Sequence, residues 1–225
     1  MMRTLRTLIL ISLLLPAAGW TQTTAPEKVR KTVSEKLICY YDPSTFAELP
    51  IFSPDNRRMA YVAKGGKKLA VVVDGKEEKP HDVIVEGTFI FSPDSRRVAY
   101  EAMEILRQGL IVDVKRFVVV DGKEEKPYDG IGKGSLIFSP DSRLVAYAAR
   151  SGANSWSSTW SVVVDGKEEK SYYGIGEGTP IFSPDSRRMA YVAKVGKKSF
   201  VVVDGKEEKS YDGIGDLIFA RTVGE

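Results

Sequence analysis

Cysteine and histidine are nearly missing from this 225-residue chain: Cys39 and His81 are the only ones. A lone cysteine forms no internal disulfide, so the fold is held by burial whatever the redox compartment. One histidine and one cysteine are too few for a structural zinc centre. No Gly-x-Ser-x-Gly elbow is present, and a hydrolytic triad needs a nucleophile with a positioned base. The glycine-rich Gly130-Ile131-Gly132 and its copies precede strand-like runs rather than helices, so they are no dinucleotide loop and read as connectors between repeats. The repeated Asp and Glu are explained by turns and strand edges rather than by calcium. The sequence therefore points to no catalytic residue, metal or cofactor. No apolar run reaches the ~18 residues that span a bilayer.

Net charge is also scarce. Without Arg3 and Arg6, 31 basic side chains face 30 acidic ones. A nucleic-acid or anionic-membrane surface needs a clustered basic excess, so neither partner is expected. Arg3 and Arg6, the apolar run Leu8–Leu15 and the small residues Pro16–Gly19 read as an export signal over residues 1–19, followed by a linker over 20–35. After cleavage no membrane span is expected, and the localisation is periplasmic or secreted.

What the chain has in abundance is repetition. Val-Val-Val-Asp-Gly-Lys-Glu-Glu-Lys occurs four times, starting at Val71, Val118, Val162 and Val201. It alternates with Ile-Phe-Ser-Pro-Asp, starting at Ile51, Ile90, Ile137 and Ile181. Tandem copies of one unit mean a supersecondary element that buries its core only against its neighbours. Within a copy, the Pro-Asp pair marks a tight turn and Asp-Gly a type I′ hairpin. Met189–Ala193 and Phe200–Val203 are apolar on both faces, which requires cover on both sides of the sheet. The charged Lys-Glu-Glu-Lys strand suits an exposed edge. The unit is a four-stranded antiparallel meander, and the expected fold is an all-β propeller with blades at about 51–89, 90–136, 137–180 and 181–217.

Phe91–Tyr100, with its three counterparts, resembles the Ser-Pro-Asp-Gly signature of WD-repeat-like propellers of the TolB type, over roughly Lys36 to Phe219. That resemblance implies a secreted or periplasmic, non-catalytic interaction scaffold. Where the family has Gly, this chain has Asn56, Ser95, Ser142 and Ser186. Asn tolerates the left-handed backbone region better than Ser, so the three Ser copies are expected to turn slightly differently. Leu37–Asp42 resembles an outer strand and Leu217–Phe219 an inner one. The expectation is four full blades with partial terminal strands in an incomplete ring, which leaves self-association open.

The Pro-Asp turns are spaced 39, 47 and 44 residues apart, and all the added length falls between the second and third strands. Those hairpins share one face, where repeat proteins carry binding. One insert holds Met103, Ile105, Leu106, Leu110 and Ile111 with charges between them, Arg107 included, and reads as an extended hairpin or a short helix. The other is a Ser/Gly/Asn loop with Asn154, Trp156 and Trp160, a pattern of aromatic anchors among adaptable polar groups that equally suits hairpin cover. Asn154, Trp156, Trp160, Met103 and Arg107 are the candidate ligand-binding residues. His81 stands where other copies have Tyr128, Tyr172 and Tyr211, and reads as an aromatic-sized filler. The expected role is a binding scaffold for a protein or envelope component. The alternatives are the accessory propeller of a prolyl-oligopeptidase-like hydrolase and a purely structural repeat.

Overall fold

The four Asp-Gly pairs each reverse the chain with both residues at positive φ, from 46° to 52° at Asp74, Asp121, Asp165 and Asp204. This is the type I′ turn that joins twisted strands without splaying them. The aspartate also ties the hairpin back to the second strand: Asp74 Oδ1 accepts from Met59 N, and Asp121, Asp165 and Asp204 accept from Val98, Val145 and Met189 N. The Ser-Pro-Asp turn is closed by its own serine. Ser53 Oγ donates to Asp55 Oδ1 at 2.6 Å and accepts from Arg58 N at 3.0 Å, and Ser92, Ser139 and Ser183 do the same. The seryl hydroxyl, ahead of any other cause, holds the carboxyls of Asp55, Asp94, Asp141 and Asp185 below the usual carboxylate range.

The computed structural model describes residues 6–11, 35–41, 50–108, 110–152 and 157–219. The protein is all-β, with no helix among the described residues. Sheet 1 runs Ile51–Phe52, Met59–Gly65, Lys68–Val73, Lys76–Glu77. Sheet 2 is built on Val98–Gln108 and Ile111–Val120, sheet 3 on Val145–Ser151 and Thr159–Val164, and sheet 4 on Met189–Val195 and Lys198–Val203. Each is an antiparallel blade that ends on a Lys-Glu outer strand, Lys206–Tyr211 in sheet 4.

The inner strand of sheets 2 to 4 is split. Val83–Ile84 and Ile90–Phe91 both pair with Val98–Gln108, on either side of a turn. Gly130–Ile131 and Gly174–Ile175 likewise pair with the second strands of sheets 3 and 4. These glycine segments are therefore hydrogen-bonded ladder, not free connectors, and sheets 2, 3 and 4 take their first pairing residues from Val83, Gly130 and Gly174, about seven residues before the Ile-Phe pairs, while sheet 1 starts at Ile51. Backbone donors at the blade edge need partners, and the Gly-Ile pair finds them on the strand it runs beside. Gly176 shows why no larger residue stands there: an added Cβ would lie 2.8 Å from Val192 Cβ.

The terminal segments differ from expectation. Glu35–Tyr41 pairs with Arg6–Ile11 in a separate two-stranded sheet, and not as the outer strand of a blade. Leu217–Phe219 forms no strand, and Ile218 is largely exposed. Most of the expected export signal, including Pro16–Gly19, lies outside the described residues.

Side chains alternate between two seams. Ala60, Val62, Val71 and Val73 pack with Val98, Tyr100, Ala102 and Val119 between sheets 1 and 2. Ala99, Val118 and Val120 pack the other way, with Val145, Tyr147, Ala149 and Val163 of sheet 3. Ala146 and Val162 meet Met189, Tyr191, Ala193 and Val202 of sheet 4. This two-sided burial explains why the strands lack polar alternation.

A polar pattern recurs at every seam. Asp55 N donates to Ser95 Oγ of the next sheet at 3.0 Å, Asp94 N to Ser142 Oγ at 2.9 Å, and Asp141 N to Ser186 Oγ at 2.9 Å. Ser95, Ser142 and Ser186 have positive φ of 61–67°, as Asn56 does at 56°. All four turns are thus alike, contrary to expectation. The seam bond holds serine in a region it otherwise avoids. Arg58 bonds Asp74 and reaches the carbonyls of Ser95 and Arg96, and Arg97 does the same to Ser142 and Arg143. At the outer rim Lys79, Lys126 and Lys170 pair with Glu124, Glu168 and Glu207 of the following sheet at 2.6–2.7 Å. Tyr128 and Tyr172 donate to the same Glu168 and Glu207. Burial first, then the carboxylate, pushes Tyr172 up to about 12, so it remains a donor.

His81 replaces that tyrosine at the first seam. It is fully buried, and neither ring nitrogen has a hydrogen-bond partner among the described residues. Glu104 and Glu124 lie 3.4 and 3.5 Å from Nδ1. Burial lowers its pKa from the ordinary 6.5, against the pull of the two glutamates. A histidine held below its unfolded value binds its proton less readily when folded. Its contribution is therefore complete above about pH 6.5 and is lost as pH falls below that value towards the lower pKa of the folded state. Thermal unfolding is expected to show a loss of stability between about pH 7.5 and about pH 5.5 that is smaller in His81→Tyr; equal slopes in the two proteins would refute this. Urea unfolding of Ser142→Ala should give a loss of about 1–2 kcal/mol, against under about 0.5 kcal/mol for Asn56→Ser, which has no earlier blade to serve.

Candidate interaction face

One residue past His81 and Tyr128, which bridge back to Leu69 and Arg116, the chain enters the next blade, and an aspartate stands there at the first two crossings. Asp82 Oδ2 accepts from Ile105 N and Asp129 Oδ2 from Gly152 N, both at 2.7 Å. These amides mark where the two inserts begin. The same carboxylates lie 3.7 Å from Lys68 Nζ and 3.4 Å from Lys115 Nζ respectively. The bonds from the Ile105 and Gly152 amides are the main reason both carboxyls titrate below the usual range. Sheet 4 has no insert, and Tyr173 replaces the aspartate and is 71% exposed.

The sheet 2 insert is an extended hairpin, not a helix: its two strands pair continuously from Ala99–Val120 to Gln108–Ile111. Lengthening carries it beyond the neighbouring blades. Leu106, Leu110 and Val112 are 49%, 104% and 59% exposed. Tyr173 and Val195 belong to the same hairpin end of the stack. Five of the seven exposed large hydrophobic residues among those described are therefore at one end. The opposite end carries the Ser-Pro-Asp and Asp-Gly turns, where arginine and aspartate pair, as in Arg58–Asp74 and Arg97–Asp121. Exposed apolar side chains gathered at one end of a molecule mark a candidate interaction face.

A cleft of about 670 Å³ opens between sheets 3 and 4. Its walls are the Gly132–Ser135 and Gly176–Thr179 turns, with Trp160, Ala148 and Ile175 behind them. Small residues create it. In sheet 2 the positions of Ala148 and Trp160 hold Glu101 and Arg116, joined at 2.6 Å, with Glu101 4% exposed. Ser135 and Thr179 spend their hydroxyl protons on Gly132 O and Gly176 O. Lys133 and Glu177 are exposed beside the cleft. This chemistry suits an apolar or aromatic group held against Trp160 with polar groups at its edge.

The candidate residues are thus divided. Trp160 is half-buried, pairs with Arg150, exchanges backbone hydrogen bonds with Tyr172 and lines the cleft. Met103 is half-buried opposite Arg116 and Val83, at the base of the long hairpin. Arg107 is exposed near its tip, opposite Val112. Neither lines the cleft with Trp160. Asn154 and Trp156 lie outside the described residues. Val112, Tyr173 and Val195 were not singled out by the sequence, although Tyr173 carries a signal in taking the place of Asp82 and Asp129. No group of three or more His, Cys, Asp or Glu among the described residues is placed to hold a metal.

No protein-family model matches the chain, and no curated protein does. Among solved structures it is similar to TolB from Acinetobacter baumannii, at 14% identity and TM-score 0.35 over 77% of this chain and 44% of that one. Two Bacteroides proteins provisionally assigned as 6-phosphogluconolactonases are also similar. The one from Bacteroides fragilis has 11% identity and TM-score 0.33 over 80% of this chain and 54% of its own. The one from Bacteroides uniformis has 14% identity and TM-score 0.33 over 71% and 52%. The chain spans about half the length of these proteins. Likeness at this level carries no inference about activity.

Because Leu110 is wholly solvated, Leu110→Ser should change the free energy of unfolding by less than about 0.5 kcal/mol. The same substitution should shorten retention on a hydrophobic-interaction column, and unchanged retention would show that the hairpin tip is not an accessible apolar surface.

Proposed function

We propose that this chain is an exported, non-catalytic binding scaffold of the cell envelope that grips a protein partner with its hairpin-end face. The observation that carries the reading is the gathering of Leu106, Leu110, Val112, Tyr173 and Val195 at one end, while the other end is closed by ion pairs. Solvated apolar side chains cost free energy in the isolated molecule, and a partner that covers them recovers it. The long hairpin supplies the anchor, the cleft beside Trp160 receives an apolar group from the partner, and Arg107 and Lys133 contribute to a polar rim. The charged leader Arg3–Arg6 with its short apolar run supports export, and the Ser-Pro-Asp turns support a scaffold of the WD-repeat-like kind.

The test places a photo-crosslinking side chain at position 110, 173 or 143 of the full chain expressed in bacterial cells. Positions 110 and 173 should give a shared adduct, recovered with the envelope fraction, that position 143 on the opposite end does not give. Equal labelling from all three positions, or none, would overturn the interaction face. Retention in the cytoplasm with an intact N-terminus would overturn export on its own.

A further inference from the structure

Each seam joins unlike faces. The earlier sheet presents donors: an Asp N–H, a rim lysine and, at the first two seams, an arginine. The later sheet presents acceptors: a turn serine, turn carbonyls and a rim glutamate. At the two ends of the array one face of each kind is left without its counterpart.

Sheet 4 ends in donors. Arg188 keeps its bond to Asp204, but its side chain is 57% exposed where Arg58 and Arg97 are 29%. Lys209, the counterpart of Lys79, Lys126 and Lys170, has no ion-pair partner among the described residues, and Tyr211 is 49% exposed where Tyr128 and Tyr172 are 3% and 4%. Val201 is half-buried, while Val71, Val118 and Val162 are fully buried. Sheet 1 ends in acceptors. Glu77, the counterpart of Glu124, Glu168 and Glu207, is exposed and its carboxylate has no ion-pair partner among the described residues. Asn56 occupies the seam-serine position at the same positive φ, with its amide oxygen available to accept. Ala63 is half-buried where Ala149 and Ala193 are almost fully buried.

We infer that two copies of this chain join end to end, sheet 4 of one against sheet 1 of the next, through a fourth seam of the internal kind. Lys209 then meets Glu77, Asp185 N–H meets the Asn56 amide, and Arg188 meets the carbonyls of Asn56 and Arg57. The contact is heterologous, so successive additions build a ring or a filament. It uses the outer rim and the turn end, and does not depend on the hairpin-end face.

Sedimentation velocity on the full chain at rising concentration tests it. The wild type should associate, and Lys209→Glu and Glu77→Lys should each weaken association by about tenfold or more, with unchanged melting temperature since both side chains are solvated. The double variant, and an equimolar mixture of the two single variants, should regain it, because each restores opposite charges across the seam. A wild type that stays monomeric throughout, single variants that associate as the wild type does, or a double variant that fails to recover would each overturn the proposal.

Discussion

The constraint on which the array depends is that each blade is incomplete on both broad sides. Val118 faces one neighbour and Val119 the other, so neither blade face can be left to water. Apolar packing has little directional preference, and it alone would let the sheets slide or pair in the wrong order. Direction comes from the polar groups around the apolar centre. A backbone N–H at one turn needs a hydroxyl from the next, and a lysine at one rim needs a glutamate from the next. Exposed ion pairs contribute roughly 0–1 kcal/mol each, so their effect lies in register more than in stability. The Asp-to-Ser bond is better shielded at the first two seams and repeats at all three, which sets a common height for the blades.

That common height frees the hairpin end for variation. Since the turn end is locked, added residues between the second and third strands extend outward without disturbing the stack. Asp82 and Asp129 then fix the first residues of the inserts to the segment by which the chain enters the same blade. The inserts therefore leave the scaffold at defined points, which preserves the orientation of whatever they present. Ala148 and Trp160 alter the neighbouring seam by removing the Glu101–Arg116 pair found one blade earlier, and the space that results is the cleft.

Much of this was legible in the sequence, for reasons that differ by element. The Asp-Gly turns and the triple-valine strands follow from local rules, and repetition made them unambiguous. The long hairpin was readable from the excess length between two fixed phrases. The role of Ser95, Ser142 and Ser186 was not, because a residue-by-residue preference for the left-handed region says nothing of a donor arriving from some forty residues away. The Lys-Glu-Glu-Lys strand suggested an edge that repels other chains, while in the fold its charges join consecutive blades. The Gly-Ile segments were too short to register as strands, and only the pairing partner reveals them. Of the candidate site, Trp160, Leu106 and Leu110 were visible in the inserts. Tyr173 and Val195 join them only through the stacking of sheet 4 beside sheet 3.

The third repeat departs from the seam pattern at one position. Leu144 stands where Arg58 and Arg97 clamp the following turn, so sheet 4 is joined to sheet 3 without a guanidinium across the gap. The molecule is consequently uneven along its length: the first two seams carry a guanidinium, and the third is fastened by hydroxyl, lysine and apolar contact alone. The first seam lacks a different tie, the tyrosine-to-glutamate bond that His81 does not make, so of the three only the middle seam, between sheets 2 and 3, carries the whole polar set.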